Sequence, residues 1–427
     1  MRYSIFLLLP ILFLSLSGCP PRPALAERLV SLPAEEPFEY DRFYLEDVQR
    51  PDQIEFERDR EQRAEFYYPD TTNERYLPIR YLRLSFHIMN SRDTVYDFHG
   101  QQAIDNIKQV INSSNALLAR TRKSYLQPDS TDLPALPSRI QLVIPKKPGT
   151  EELAIYEHYD DELYYYLHNG RRRNRATRTV IDRYGINRDS VLNIFIMGPP
   201  ADSLKSKTFR MPSASGIYLG DAIKVTGWLE SKRPPWEIRG NLVHEIGHAL
   251  GLAHAWGNDG CDDTPRHKND YWSRASKDTG PGKTSNNLMD YSRQQEALTP
   301  CQIGRMHLRM SDITGRQRKW LLPYWCRFNP NEPVRVTKDL TWEGARDFNT
   351  NIFVRRGATL RINNRLHLPE GGKIFVDPGG RLELGPKAVI HSDCGGQWAG
   401  IIVGYTASGY GGEVYADPLA TILNERP

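Results

Sequence analysis

The sequence predicts a mixed α/β (α+β) domain, followed by a small all-β region. Three observations lead there. Apolar segments of strand and helix period alternate from about residue 80. The string His244-Glu245-Ile246-Gly247-His248-Ala249-Leu250-Gly251-Leu252-Ala253-His254 lies within a helical apolar stripe. Two stretches beyond residue 350 repeat at a fixed offset. At 427 residues the chain has room for two or three domains.

The N-terminus reads as an export signal over 1–18. Arg2 precedes an apolar stretch from Ile5 to Leu16, too short to span a bilayer by itself. It ends in Leu16-Ser17-Gly18-Cys19, which resembles a bacterial lipobox. That resemblance implies cleavage before Cys19 and a lipid anchor on it, and so a membrane-anchored lipoprotein of the cell envelope or surface. The alternative is an ordinary secretory signal with an incidental cysteine. Either way the mature chain is expected outside the cytoplasm. Residues 19–78 are rich in Pro, Glu, Asp and Arg and read as a linker or pro-segment without its own core. No cysteine lies between Cys19 and Cys261, so no pro-segment thiol is available to block a metal.

The domain expected over 79–330 begins with a strand at 82–88, where apolar and polar residues alternate. Ala103, Ile104, Ile107, Val110, Ile111, Leu117 and Leu118 keep a helical period through 100–120. Residues 140–144, 192–197 and 215–220 read as further strands, the last just before the histidine string. Ile238, Leu242, Val243, Ile246, Ala249 and Leu250 form a stripe at 3–4 spacing, so the helix bearing the string is largely buried. Buried His, Glu and His need a reason, because unpaired polar groups cost several kcal/mol. A metal supplies it. His244 and His248 are four apart and share one helix face. Gly251 can adopt φ > 0, end the helix and let His254 return as a third ligand. Three neutral imidazoles with one open position is the pattern of a catalytic zinc. Glu245, one step round the turn, can reach a water on that metal.

HExxHxxGxxH resembles the metzincin clan of metalloproteases, which add a Met-containing turn beneath the metal. Met289 lies 35 positions after His254 in Asn286-Asn287-Leu288-Met289-Asp290-Tyr291-Ser292, and Gly260-Cys261-Asp262-Asp263-Thr264-Pro265 lies between. This combination is similar to the pappalysin (ulilysin-like) family, most closely over about 214–310 and more loosely back to about 80. The resemblance implies a zinc endopeptidase acting on protein or peptide substrates. In it His244, His248 and His254 hold zinc, and Glu245 is general base for a metal-activated water. Tyr291 stabilises the oxyanion, and the edge strand before the zinc helix pairs with extended substrate. It also suggests calcium at Asp262, Asp263 and the Thr264 carbonyl. The Cys301 that follows Thr299-Pro300 departs from the family pattern, where glycine is often found. Apart from Cys19 there are four cysteines, and three pairings are open from the sequence itself. The family favours Cys261–Cys301, leaving Cys326–Cys394. With three histidines present, the cysteines are not needed for zinc.

Charge is balanced, 56 basic against 52 acidic residues, which argues against a nucleic-acid partner. The Arg171, Arg172, Arg173, Arg175 and Arg178 run reads as a solvated face. His87, His267 and His307 lack partner spacing and stay outside the site. Beyond 331, residues 351–362 match 373–384 at an offset of 22. Short strands with Gly turns at this period fit rungs of a β-solenoid-like region, 331–427, rather than two hairpins. Ile352, Val354, Leu360, Ile374, Val376 and Leu382 should line its interior, alternating with Phe353, Arg361, Phe375 and Glu383. Trp398 is expected to open another rung. No chemistry is visible there, so a stabilising or surface-binding role is expected. Two rival readings remain for the whole chain. One is a non-catalytic surface lipoprotein that binds through the β-region. The other is a zinc hydrolase of a non-peptide bond.

Overall fold

The computed structural model describes residues 37–51, 63–92, 98–126, 132–204, 207, 215–228, 234–267, 285–292 and 294–426. Residues 1–18, read from the sequence as an export signal, and Cys19 lie outside them. Among the described residues no helix is long and apolar enough to cross a membrane. Phe38–Pro427 forms one compact unit.

A six-stranded sheet organises the first half. It contains β2 (Arg80–Asn90), β3 (Ile140–Val143), β4 (Ile155–Tyr159), β5 (Leu192–Met197), β6 (Ser215–Tyr218) and β7 (Ala222–Thr226). The strand order is β3-β2-β5-β7-β6, with β4 also on β2; only β6 runs antiparallel to its neighbour. The long β2 serves β3 with its first half and β4 with its second. β5 is buried at every position, as a central strand covered on both faces should be. On one face, Leu84, Phe86, Ile194, Ile196 and Ile223 pack with Ile107 and Val110 of α1 (Gly100–Ala119) and with Ile238, Leu242 and Ile246 of α4 (Pro235–Ala249). On the other, Met89, Phe195 and Met197 meet Tyr166 and α2 (Thr179–Tyr184). A short helix α3 spans Ala201–Leu204. β4 and β7 have no counterpart in the sequence reading. Ile-Tyr-Glu-His-Tyr and Ala-Ile-Lys-Val-Thr are too short and mixed to show a period, and parallel pairing to distant strands fixes them.

After the zinc helix come α5 (Pro300–Ser311), with a capping box between Thr299 and Gln302, and α6 (Arg316–Lys319). The remainder is β-structure built from three faces. Strands β8 (Val334–Val336), β11 (Ile352–Val354), β14 (Ile374–Val376) and β17 (Ile401–Thr406) stack in parallel. So do β9 (Leu340–Trp342), β12 (Thr359–Ile362), β15 (Arg381–Leu384) and β18 (Glu413–Ala416). The third stack is β10 (Arg346–Asp347), β13 (Arg365–His367), β16 (Val389–His391) and β19 (Thr421–Ile422). Ile352 lies opposite Ile374 and Leu360 opposite Leu382, so the 22-residue offset of the sequence is the register between neighbouring turns of chain. Val354, Leu360, Ile374, Val376 and Leu382 are fully buried in one apolar cluster, with Trp342 and Trp398. Parts of the 19–78 stretch are built onto this region. β1 (Phe38–Phe43) pairs antiparallel with β17. Further on, buried Tyr67 accepts a bond from the Ala345 N–H at 3.1 Å.

One buried carboxylate joins β2 to the last third of the chain. Asp347 receives Arg80 at 2.6 Å, Arg318 at 2.6 Å and Arg365 at 2.5 Å. Burial pushes its carboxyl up, yet Arg318, Arg365 and Arg80 together hold it well below the ordinary 3.8.

Candidate metal centre and active site

α4 presents His244 and His248 on one face, and the chain leaves it as the spacing predicts. Leu250 caps the helix, Gly251 takes φ +92°, and the Leu252 N–H returns to the Gly247 carbonyl at 2.9 Å. His254 then comes back to the same point. His248 Nε2 lies 3.1 Å from His244 Nε2 and 3.1 Å from His254 Nε2.

Second partners fix two of these rings. His244 Nδ1 sits 2.8 Å from the Leu288 carbonyl and His248 Nδ1 2.9 Å from the Leu252 carbonyl. A carbonyl only accepts, so each Nδ1 carries the proton and each Nε2 presents a lone pair. Lone pairs converging at 3.1 Å repel unless a cation sits among them, and nitrogens are ligands zinc takes. Burial pushes His244 down to about 3 and His254 to about 4, and lowers His248 as well. The rings are therefore neutral and ready to ligate. Trp256, absent from the sequence reading, stacks on His254 at 4.1 Å and 14°. A lone Trp in a loop carries no pattern that could have flagged it.

Glu245 is buried beside this cluster, 5% exposed. Burial pushes its carboxyl up to about 7, while the Tyr218 backbone N–H and Arg175 pull it back. β6 crosses directly against it. A Cβ on Gly216 would fall 2.5 Å from Glu245 Cγ and 2.9 Å from Oε1, so glycine there lets the strand approach the acid. β6 is the outermost strand, and among the described residues no strand pairs with its other edge. Tyr291 is 48% exposed, its ring 5.7 Å from His244, 5.0 Å from His254 and 4.7 Å from Trp256. Burial, with the Glu245 charge, raises its phenol, which therefore stays protonated.

Met289 is fully buried beneath the helix. A Cβ on Gly247 would clash with its sulfur, which explains the small residue at that motif position. The turn is held locally. Asn287 Oδ1 accepts the Met289 N–H at 2.9 Å, and Gln295 Nε2 donates to the Asp290 carbonyl at 2.6 Å. Asp290 is buried and bound by His267 at 3.0 Å and by Ser285. The position of Asp290 beside Met289 in the string suggests a brace for the turn, but its partners His267 and Ser285 carry no spacing that marks them, because only the loop brings them together. His87 contacts Asn193 and His158, each at 3.0 Å, and His307 the Ser138 carbonyl at 2.8 Å, so both are engaged elsewhere.

Cys261 is bonded to Cys301 and Cys326 to Cys394, the pairing favoured by the family resemblance. In the loop suggested for calcium, Asp262 is exposed and Thr264 buried. Asp263 Oδ2 accepts the Cys301 N–H at 2.9 Å, a bond at the N-terminus of α5. Its Oδ1 is buried without a hydrogen bond. In the arginine run, Arg171, Arg172 and Arg173 are exposed, whereas Arg178 is tied to Asp221 at 2.7 Å.

The Peptidase_M43 family, described as pregnancy-associated plasma protein-A, matches residues 184–311. No curated protein matches the chain. Solved structures that it resembles include mirolysin in complex with compound 9, at 18% identity and TM-score 0.38, covering 58% of this chain and 97% of that one. Mature mirolysin of Tannerella forsythia with a cleaved peptide is 17% identical at TM-score 0.36, covering 58% and 96%. The family match spans the helix that bears the histidines and the turn beneath it, and over those residues the chain is similar to the pappalysin-like zinc metalloproteases.

Proposed function

We propose that the chain is an exported zinc endopeptidase that hydrolyses peptide bonds of extracytoplasmic proteins with Glu245 as general base. The observation that carries this is a buried carboxyl beside three converged imidazoles that already complete a ligand set. A centre that only held the fold would not need it. A bound zinc would acidify water and polarise the scissile carbonyl. The residues supply the rest. His244, His248 and His254 hold the ion. The outer edge of β6 aligns an extended peptide by main-chain pairing. Glu245 takes a proton from the attacking water and hands it to the leaving amine nitrogen. Tyr291 donates its phenolic hydrogen to the developing oxyanion.

Several finer readings belong to the same proposal. Met289 is the floor of a metzincin Met-turn, supported by its packing on Gly247. The 331–427 region is a β-solenoid that stabilises the enzyme or binds a surface, supported by its three parallel stacks. Calcium would draw on Asp262, the Thr264 carbonyl and the unbonded Oδ1 of Asp263. Cys19 carries a lipid that anchors the mature protein to a membrane of the cell envelope. If so, wild type fractionates with membranes, and Cys19→Ala does not. Casein or gelatin cleavage that is lost with a chelator and restored by zinc is the expected outcome for the catalytic reading. Intact zinc binding with no cleavage would favour the non-catalytic lipoprotein. Cleavage confined to a non-peptide substrate would favour the other hydrolase.

A further inference from the structure

The second disulfide lies in a setting that a simple cross-link does not require. Cys326, just after α6, is bonded to Cys394 beyond β16. His367 at the end of β13 is fully buried, and its Nε2 lies 3.3 Å from Cys394 Sγ and 3.0 Å from Asp393 Oδ1. Its Nδ1 is buried without a hydrogen bond, so the ring has one working nitrogen, aimed into the group. One ligand atom from each of Cys326, His367, Asp393 and Cys394 lies within 4.8 Å of the others. Zinc bonds of about 2.0–2.3 Å place tetrahedral ligand atoms about 3.3–3.8 Å apart, so the His367 contacts already approach that spacing. The two sulfurs alone are too close, and only because they are bonded. Their Cα atoms are 5.5 Å apart, which leaves side-chain rotation to separate them.

We propose that the Cys326–Cys394 bridge masks a second metal site, a set of two cysteines, one histidine and one aspartate that accepts a zinc-type divalent ion once the bridge is reduced. An external dithiol breaks the S–S bond, gives each sulfur one electron and one proton, and becomes a disulfide itself. The ion then displaces two protons from the thiols, while the imidazole binds through Nε2 with its proton on Nδ1. The metal takes over the link between the segment after α6 and the β-region, so the two stay joined in reducing and oxidising surroundings alike. This site is separate from the His244, His248 and His254 centre and draws on none of its residues.

The test uses the full mature protein, loaded with its catalytic zinc, treated with a dithiol and freed of it without oxygen. Cadmium is the probe, read by thiolate-to-metal absorption. Reduced wild type should take one more cadmium per chain than reduced C326S/C394S, and C261S/C301S should behave as wild type. His367→Gln should weaken binding by at least about tenfold, since even outer-shell changes at metal sites cost 10–100-fold. Bound cadmium should also keep Cys326 and Cys394 from re-pairing on air exposure, by mass mapping, in wild type but not in His367→Gln. Equal cadmium binding by wild type and C326S/C394S would overturn the proposal. So would binding by His367→Gln at wild-type strength, which is also what adventitious thiol binding by an unfolded reduced chain would give.

Discussion

Gly216→Ala probes the base without touching a metal ligand. The added Cβ would meet Glu245 Cγ at 2.5 Å and Cδ at 2.9 Å, against an ordinary contact of 3.4 Å or more. Glu245 lies in a buried setting, so relief requires β6 or the carboxyl to move by about 1 Å. A misplacement of that size at a reacting group costs about 10²-fold, and at 1.36 kcal/mol per tenfold this is about 2.7 kcal/mol of transition-state stabilisation. Crowding the buried acid should also cost about 1–3 kcal/mol of stability, offset in part because Gly in a strand interior is itself unfavourable. The assay is kcat/KM on a peptide substrate, with zinc content and melting temperature measured on the same sample. The expected result is a fall of about 10²-fold at unchanged zinc, with a melting temperature lowered by no more than overpacking of about 1–3 kcal/mol implies. Activity within about threefold of wild type would refute the claim that β6 positions the base.

Gly247→Ala overpacks the site against the Met289 sulfur. Overpacking of about 1–3 kcal/mol outweighs about 1 kcal/mol of helix gain, so calorimetry should show a lower melting temperature, and a higher one would contradict the packing. Trp256→Ala removes the ring stacked on His254 and should weaken zinc retention against a competing chelator about 10–100-fold. Asp347→Asn leaves Arg80, Arg318 and Arg365 buried with no carboxylate among them, and should cost about 3–5 kcal/mol in denaturant unfolding at pH 7. Because Asp347 is held below its unfolded value, its stabilisation is complete above about pH 4 and lost as pH falls through the folded value. The gap between wild type and variant should therefore stay constant from neutrality to about pH 4 and narrow only below.

The zinc helix was legible because one local string sets ligand spacing, burial and helix end together. His244, His248, Gly251 and His254 needed no distant partner to be placed, and Ile352 and Ile374 announced their pairing by repeating. The strands β4 and β7 were not legible, since five residues of mixed polarity acquire strand geometry only from β2 and β5. Nor was the Asp347 hub. It gathers Arg80, Arg318 and Arg365 from positions up to 285 residues apart (365 − 80), and no periodicity records a long-range ion pair. The same holds for Asp290 with His267 and for Trp256 on His254. The acids Asp262 and Asp263 looked alike in the string, yet one is exposed and the other serves a helix terminus.

We propose that three histidines hold the metal while Glu245 does the proton chemistry. The most direct measurement is zinc content and proteolysis of Glu245→Ala beside His248→Ala. Glu245→Ala is expected to keep one zinc per chain and to lose about 10²–10⁴-fold of its activity, whereas His248→Ala is expected to lose the zinc. More than about a tenth of wild-type proteolysis in Glu245→Ala, or an unchanged zinc content in His248→Ala, would contradict it.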